Sequence, residues 1–169
     1  MIDRRPLPGL LIEQQPEAVV CALALVGEAR GEQDAGGDLE AVAMLCVLWV
    51  GNNRIKDARN RWPKTMRQAF LQPWQFSCFN PHDPNRDKLL EVWKSDPVTW
   101  ERADTTCDLF EQECTVDPTD GATHYCTLGL WGVDDAAREH PRWHSKQEIE
   151  ARRTVETARW GHHVFARAA

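Results

Sequence analysis

Pro16-Glu17-Ala18-Val19-Val20-Cys21-Ala22-Leu23-Ala24-Leu25-Val26-Gly27-Glu28-Ala29-Arg30-Gly31-Glu32 carries an uncharged apolar run into a glycine-bearing turn that holds a carboxylate. Pro16 sits where its missing N–H costs nothing, so the stretch predicts a helix from Pro16 to about Ala29. Val19 to Val26 has no polar face, so this helix belongs inside the domain. Glu28 then emerges beside an apolar wall. Desolvation disfavours a charged carboxylate, and a glutamate so placed is expected to hold its proton near neutral pH and to serve as a general acid. The plainer alternative is a solvated glutamate at a helix end.

The pattern outward from this helix is mainly helical. After Gly36-Gly37, Asp38 can cap a second helix to about Asn52; Val42, Met44, Leu45, Cys46, Val47, Leu48 and Trp49 leave it apolar on nearly every side, as expected of a buried central helix. Asn53 and Arg54 close it, with a basic group at the negative end of the helix dipole. Short helices are predicted from Pro63 and after Asp83-Pro84. Asp96-Pro97 starts an amphipathic helix whose core face is Trp100, Ala103, Cys107, Phe110 and Cys114. Beyond Asp117-Pro118, the turn Thr119-Asp120-Gly121 leads into Ala122 to Leu130, read as extended, and His162 to Ala166 can pair with it. Ser145 to Thr157 is charged and predicts a surface helix. The fold class expected is α+β, mainly helical, with a small sheet beside a groove.

The 169 residues and 42% hydrophobic content suit one core, with residues 1–15 as an N-terminal arm and 16–169 as a single catalytic domain. The net charge of −6 comes from scattered charges, so there is no basic stripe for nucleic acid. The longest apolar stretch, Leu39 to Val50, is too short to span a bilayer, and membrane insertion is not expected. Among the six cysteines, Cys21 and Cys46 lie in apolar helical patterns and act as small hydrophobes. Cys107 and Cys114, seven apart on one predicted helix face, are about 10 Å apart and cannot pair. No Cys-x-x-Cys spacing occurs; the nearest approaches to ligand spacing are Cys78 with His82 and His124 with Cys126. No metal and no cofactor are expected.

Five ordered segments carry a family resemblance: Gly27 to Glu32, Asn53-Arg54, Gln75-Phe76-Ser77, Asp117-Pro118 with Gly121-Ala122-Thr123-His124-Tyr125, and Gly161-His162-His163-Val164-Phe165. Over roughly Pro16 to Arg167 the chain resembles the SleB-type cell wall hydrolases. That resemblance implies a lysozyme- or lytic-transglycosylase-like domain whose partner is the glycan strands of bacterial peptidoglycan. Met1 to Ile12 shows no signal-peptide core, so synthesis in the cytoplasm is expected, with delivery to the wall or periplasm through a holin or with a virion-like particle, as for phage endolysins.

Cleaving a glycosidic bond takes a proton donor and something to meet the oxocarbenium-like carbon. Ordinary glycosidases use two carboxyl groups about 5–5.5 Å apart if retaining and about 6.5–9.5 Å apart if inverting. Glu28 is the expected donor; Glu32 and Asp120, with Asp117, are the candidates for a second carboxylate. Lytic transglycosylases manage with one glutamate, which protonates the leaving oxygen and then takes the proton of the muramic 6-hydroxyl as an anhydro ring closes. The resemblance makes that activity the expected one, with muramidase-type hydrolysis as the alternative.

Substrate contacts are expected from Gln75 and Ser77, short polar groups bracketed by Trp74 and Phe76, and from Tyr125, whose ring can meet the C–H face of a sugar. His124 can donate to an N-acetyl carbonyl. His163 matches the family's last motif and is a candidate supporting residue. Of eight tryptophans, Trp49, Trp93 and Trp100 fall at helical core positions, whereas Trp74, Trp131 and Trp143 fall in turns and suit sugar stacking, Trp143 also matching a family position. A glycan-binding or virion structural protein without catalysis is the reading from another class. A Cys/His metal module and a Cys126–His124 thiol enzyme rank below it.

Overall fold

A computed structural model describes residues 2–29, 37–137 and 142–169. Helix α1, Glu17–Ala29, is buried along its whole run from Val19 to Val26. It packs against α2 (Gly37–Ile55), α3 (Met66–Phe70) and α5 (Pro97–Glu111), which enclose the core, while α4 (Val92–Ser95) buttresses α5. The two long apolar runs are therefore partners in one core. Glu40 interrupts the apolar run of α2 and is fully buried, where Arg102 from α5 neutralises it.

Local chemistry sets the helix ends. The Asp96 side chain accepts from Thr99 N at 3.3 Å, with Pro97 in the first turn of α5. Helix α3 starts later than the Pro63 reading, because Thr65 supplies the cap by accepting from Gln68 N. After Asp83-Pro84 the chain forms a 3-10 turn, Asp87–Glu91, and then α4. Helix α5 ends at Glu111 and the chain turns through Glu113 at φ 57°, so Cys114 is exposed and off the core face it was assigned to. All six cysteines are free thiols.

Strands β1 (His124–Thr127), β2 (Thr154–Trp160) and β3 (His163–Ala168) form an antiparallel sheet in the order β1-β3-β2, with Tyr125 opposite Phe165 and Cys126 opposite Val164. The pairing of β1 with β3 and the mainly helical α+β class agree with the sequence. The Ser145 to Thr157 helix does not. Helix α6 spans only Lys146–Glu150, and the chain turns at Arg152, φ 55°, into β2. Most of the charges that suggested a solvated helix lie on α6 and in the turn after it; of that segment's charged residues only Glu156 falls on β2, an edge strand, where it pairs with Arg159. Charged side chains on an edge discourage pairing with another chain.

Residues 2–15 are anchored to this frame through Arg4 and Gln15. The Arg4 side chain is wholly buried, with Nη1 2.7 Å from both Asp104 and Asp108 and Nη2 2.7 Å from Glu111, all on α5. Gln15 is buried too; it accepts from Leu7 N and donates to the Leu7 and Leu10 carbonyls. Among the described residues no helix is long and apolar enough to cross a membrane.

Candidate active site

Glu28 stands in the last turn of α1, partly exposed, and three donors meet its carboxylate. Cys78 N–H donates to Oε1 at 2.8 Å and the Ser77 hydroxyl donates to the same oxygen at 3.1 Å. The Tyr125 hydroxyl donates to Oε2 at 2.5 Å. The head group is held by these polar donors. Ser77 and Cys78 begin a 3-10 turn, Ser77–Phe79, that lies against α1 at Gly27, where the missing side chain allows close approach.

The second grip comes from β1. The Tyr125 ring stacks on Phe165 of β3 with centroids 5.8 Å apart, and meets the His163 ring at 5.5 Å and Phe76 at 5.9 Å. Burial, and then the adjacent Glu28 carboxylate, push the Tyr125 phenol well above its ordinary pKa, so it stays a hydroxyl donor across the working pH range. Thr123 N–H donates to the Ala166 carbonyl at 3.0 Å, extending the strand pairing upstream.

Asn53 and Arg54, read from sequence as the end of a helix, reach further than a helix end requires. Asn53 Nδ2 donates to Asp117 Oδ2 at 2.9 Å and to the Ala122 carbonyl at 3.0 Å. Arg54 is 2% exposed; its Nε donates to the Thr123 carbonyl at 2.7 Å, and its guanidinium lies 4.5 Å from the Trp62 ring centre and 4.8 Å from that of Phe76. Burial pushes the Arg54 pKa down to about 10, against the opposing pull of Tyr125 and Glu28. Arg54 thus touches both the Phe76 ring just before Ser77 and the backbone just before Tyr125.

A cavity of about 340 Å³ opens over the carboxylate, lined among others by Glu28, Trp74, Gln75, Ser77, Tyr125 and Trp143. His163 lines it as well, as does His144, which the sequence reading passed over. Phe76, 1% exposed, lies in the core beneath it. The His124 ring falls outside the lining, 5.4 Å from Trp62 and 5.0 Å from Trp143, with Nδ1 2.9 Å from the Thr123 hydroxyl. Burial and the charges of Arg54 and Arg61 push its pKa down to about 4. A larger cavity of about 500 Å³, walled by Cys21, Leu48, Met66 and Phe110, is more apolar, and the two carboxylates in its lining, Glu17 and Glu111, are each taken up by an arginine, through Arg67 N–H and the Arg4 guanidinium. Size alone does not choose the site here; convergent polar groups do.

The other acids are placed elsewhere. Asp117 is tied into its own loop: it accepts from Thr119 N and Oγ1, from Gly121 N and from Asn53. Burial raises its pKa, and these bonds outweigh that and hold it below the usual range. Asp120 is exposed in the adjoining turn at φ 50°. Glu32 lies outside the described residues. Among the described residues, Glu28 is the one carboxylate lining its cavity, and no group of three or more His, Cys, Asp or Glu side chains is placed to hold a metal ion. The Cys78 N–H had no signature in the sequence, because any residue type supplies a backbone donor.

A family described as Cell Wall Hydrolase matches residues 40–166, a span that includes every motif after Glu28. No curated protein sequence matches the chain. A solved structure described as the catalytic domain of the germination-specific lytic transglycosylase SleB from Bacillus anthracis superposes with a TM-score of 0.52. It is 19% identical, and the alignment covers 95% of this chain and 99% of that one.

Proposed function

The chain belongs to the cell wall hydrolase family, and from that membership we propose that it cleaves peptidoglycan glycan strands between N-acetylmuramic acid and N-acetylglucosamine as a lytic transglycosylase run by Glu28. The observation that carries the proposal is that, among the described residues, Glu28 is the single carboxylate in the cavity lining. A two-carboxylate glycosidase needs a second acid within about 10 Å across the scissile bond, and Asp117 and Asp120 do not line this cavity. One carboxyl group that first gives and then takes a proton needs no such partner. The likeness to the SleB catalytic domain supports the same choice.

In this reading the two oxygens of Glu28 take different parts. Cys78 N–H can only donate, so Oε1 remains an acceptor in both protonation states. The Tyr125 hydroxyl can rotate and either donate or accept, so Oε2 is the oxygen that carries the mobile proton. Glu28 passes that proton to the glycosidic oxygen as the bond from C1 of the muramic residue breaks. The resulting carboxylate takes the proton of the muramic 6-hydroxyl as O6 bonds to C1, closing the 1,6-anhydro ring and restoring the acid. Ser77, Tyr125 and Cys78 N–H hold the carboxylate in place through both steps, while Gln75 and Trp143 face the sugars.

Mass spectrometry of the muropeptides released from purified peptidoglycan tests this directly. Anhydro-muropeptides are expected from the wild type, with Glu28→Gln at least about 10²–10⁴-fold slower, the range a positioned acid supplies. Reducing ends would replace the proposal with a muramidase that has a second carboxylate. Equal product from both proteins would remove Glu28 from the chemistry, and no product from either would favour a glycan-binding protein.

A further inference from the structure

Gln72-Pro73-Trp74-Gln75 is a hydrogen-bonded turn, closed by Gln75 N–H donating to the Gln72 carbonyl at 3.2 Å. Proline takes its second place and a residue with positive φ its third. That third place ordinarily goes to glycine or asparagine, because a β-carbon is strained there. Here it holds Trp74 at φ 66°, the bulkiest side chain available. The strained conformation is fastened from outside the turn, since Asn80 Oδ1 accepts from Trp74 N–H at 3.1 Å. The indole gains nothing visible in return: it is 73% exposed, and among the described residues no aromatic ring or cation stacks on it. Trp49, Trp93 and Trp143, by contrast, each have such a neighbour. Trp74 nevertheless lines the cavity that holds Glu28.

A strained backbone and a solvated indole are both unfavourable for folding alone, and strain of this kind collects where a ligand uses it. We propose that Trp74 is a preset sugar platform: its ring stacks on the C–H face of a pyranose in the glycan strand, beside the ring whose glycosidic oxygen Glu28 protonates. The strained turn fixes the backbone that carries the indole before substrate arrives, so only the side-chain torsions remain to be ordered on binding. This rests on the glycan-cleaving function proposed above and adds a determinant of strand binding to it. A flat apolar face recognises the ring rather than any one substituent, so Trp74 contributes affinity for the strand while Glu28 contributes the chemistry.

The test separates folding from binding. Trp74→Gly removes both the strain and the indole, and Trp74→Phe keeps an aromatic face. Each is made in the wild type and in Glu28→Gln, and binding of the Glu28→Gln forms to an N-acetylglucosamine–N-acetylmuramic acid tetrasaccharide is measured by calorimetry. With Trp74→Gly, binding about tenfold weaker is expected, with KM on glycan strands rising more than kcat falls and the thermal midpoint holding or increasing by a few degrees. Trp74→Phe should recover part of the affinity. Unchanged affinity in Trp74→Gly would overturn the platform while leaving the glycan function intact. A thermal midpoint lowered by more than about 5 °C would show that the indole serves the fold instead. If Glu28→Gln with Trp74 intact binds no tetrasaccharide, the proposed function fails and the platform with it.

Discussion

A β-carbon on Gly27 would stand 2.4 Å from the Cys78 β-carbon and 2.6 Å from its sulfur, closer than any real side chains approach. The helix that carries Glu28 and the turn that grips it are therefore in backbone-close contact at the residue just before the acid. Alanine elsewhere in a helix would be about 1 kcal/mol better than glycine. Here the added methyl group must push the Ser77–Phe79 turn away from α1, a form of overpacking that costs about 1–3 kcal/mol. Gly27→Ala should lower both stability and kcat, because the displaced Cys78 N–H no longer reaches Oε1 at 2.8 Å. The double variant with Cys78→Gly removes the opposing β-carbon and should recover much of both losses, whereas adding Cys78→Ala should not. Urea midpoints and kcat of these variants form a cycle, and equal behaviour of the two double variants would disprove the contact.

Arg54 joins the two segments that hold Glu28, and its replacement should register at the acid. In Arg54→Met the Thr123 carbonyl loses its 2.7 Å donor and the Trp62 and Phe76 rings lose a cation, together worth about 2–4 kcal/mol. Lysine keeps the charge but lacks the planar fork that lies over two rings and still donates through Nε. Arg54→Lys should therefore recover only a minority of the lost stability. In both variants kcat should fall more than KM changes, even well below the melting temperature. A kcat that returns to the wild-type value at low temperature would reduce Arg54 to a fold-stabilising residue.

The three long helices, the β1 and β3 strands and the placing of Glu28 at the end of α1 could be read along the chain, because each is written in short-range periodicity or in a turn residue. What joins them could not. Tyr125 reaches Glu28 across 97 positions, and that meeting depends on the pairing of β1 with β3 and on Phe76 packing beneath Tyr125. Arg54 has an adequate local explanation in the helix dipole, and this concealed its burial between Trp62 and Phe76. Strand β2 was hidden for a different reason: an edge strand with one open side can be as charged as a surface helix, and only the turn at Arg152 separates the two.

His124 supplies a pH-dependent signal that leaves the acid chemistry aside. Its imidazole is pushed down to about 4, by burial first and then by Arg54 and Arg61, whereas an unfolded chain protonates near 6.5. Between these values the unfolded state binds more protons than the folded one, so stability rises with pH across the window. The neutral ring's contribution is complete above about pH 6.5 and is lost as the pH falls towards 4, on the order of 1–3 kcal/mol for a partly exposed ring. His144 is shifted in the same direction, by burial first, and adds to the slope. Asp117, held below its ordinary range by its loop donors against the effect of burial, loses its contribution only at still lower pH. His124→Gln should flatten the dependence of the urea midpoint between pH 6.5 and 4.5 without abolishing it, and should leave the pH dependence of activity above pH 7 as in the wild type, because His124 is neutral there. An unchanged slope in the variant would show that the ring titrates near its ordinary value. A changed pH dependence of activity above pH 7 would instead bring His124 into the proton transfers.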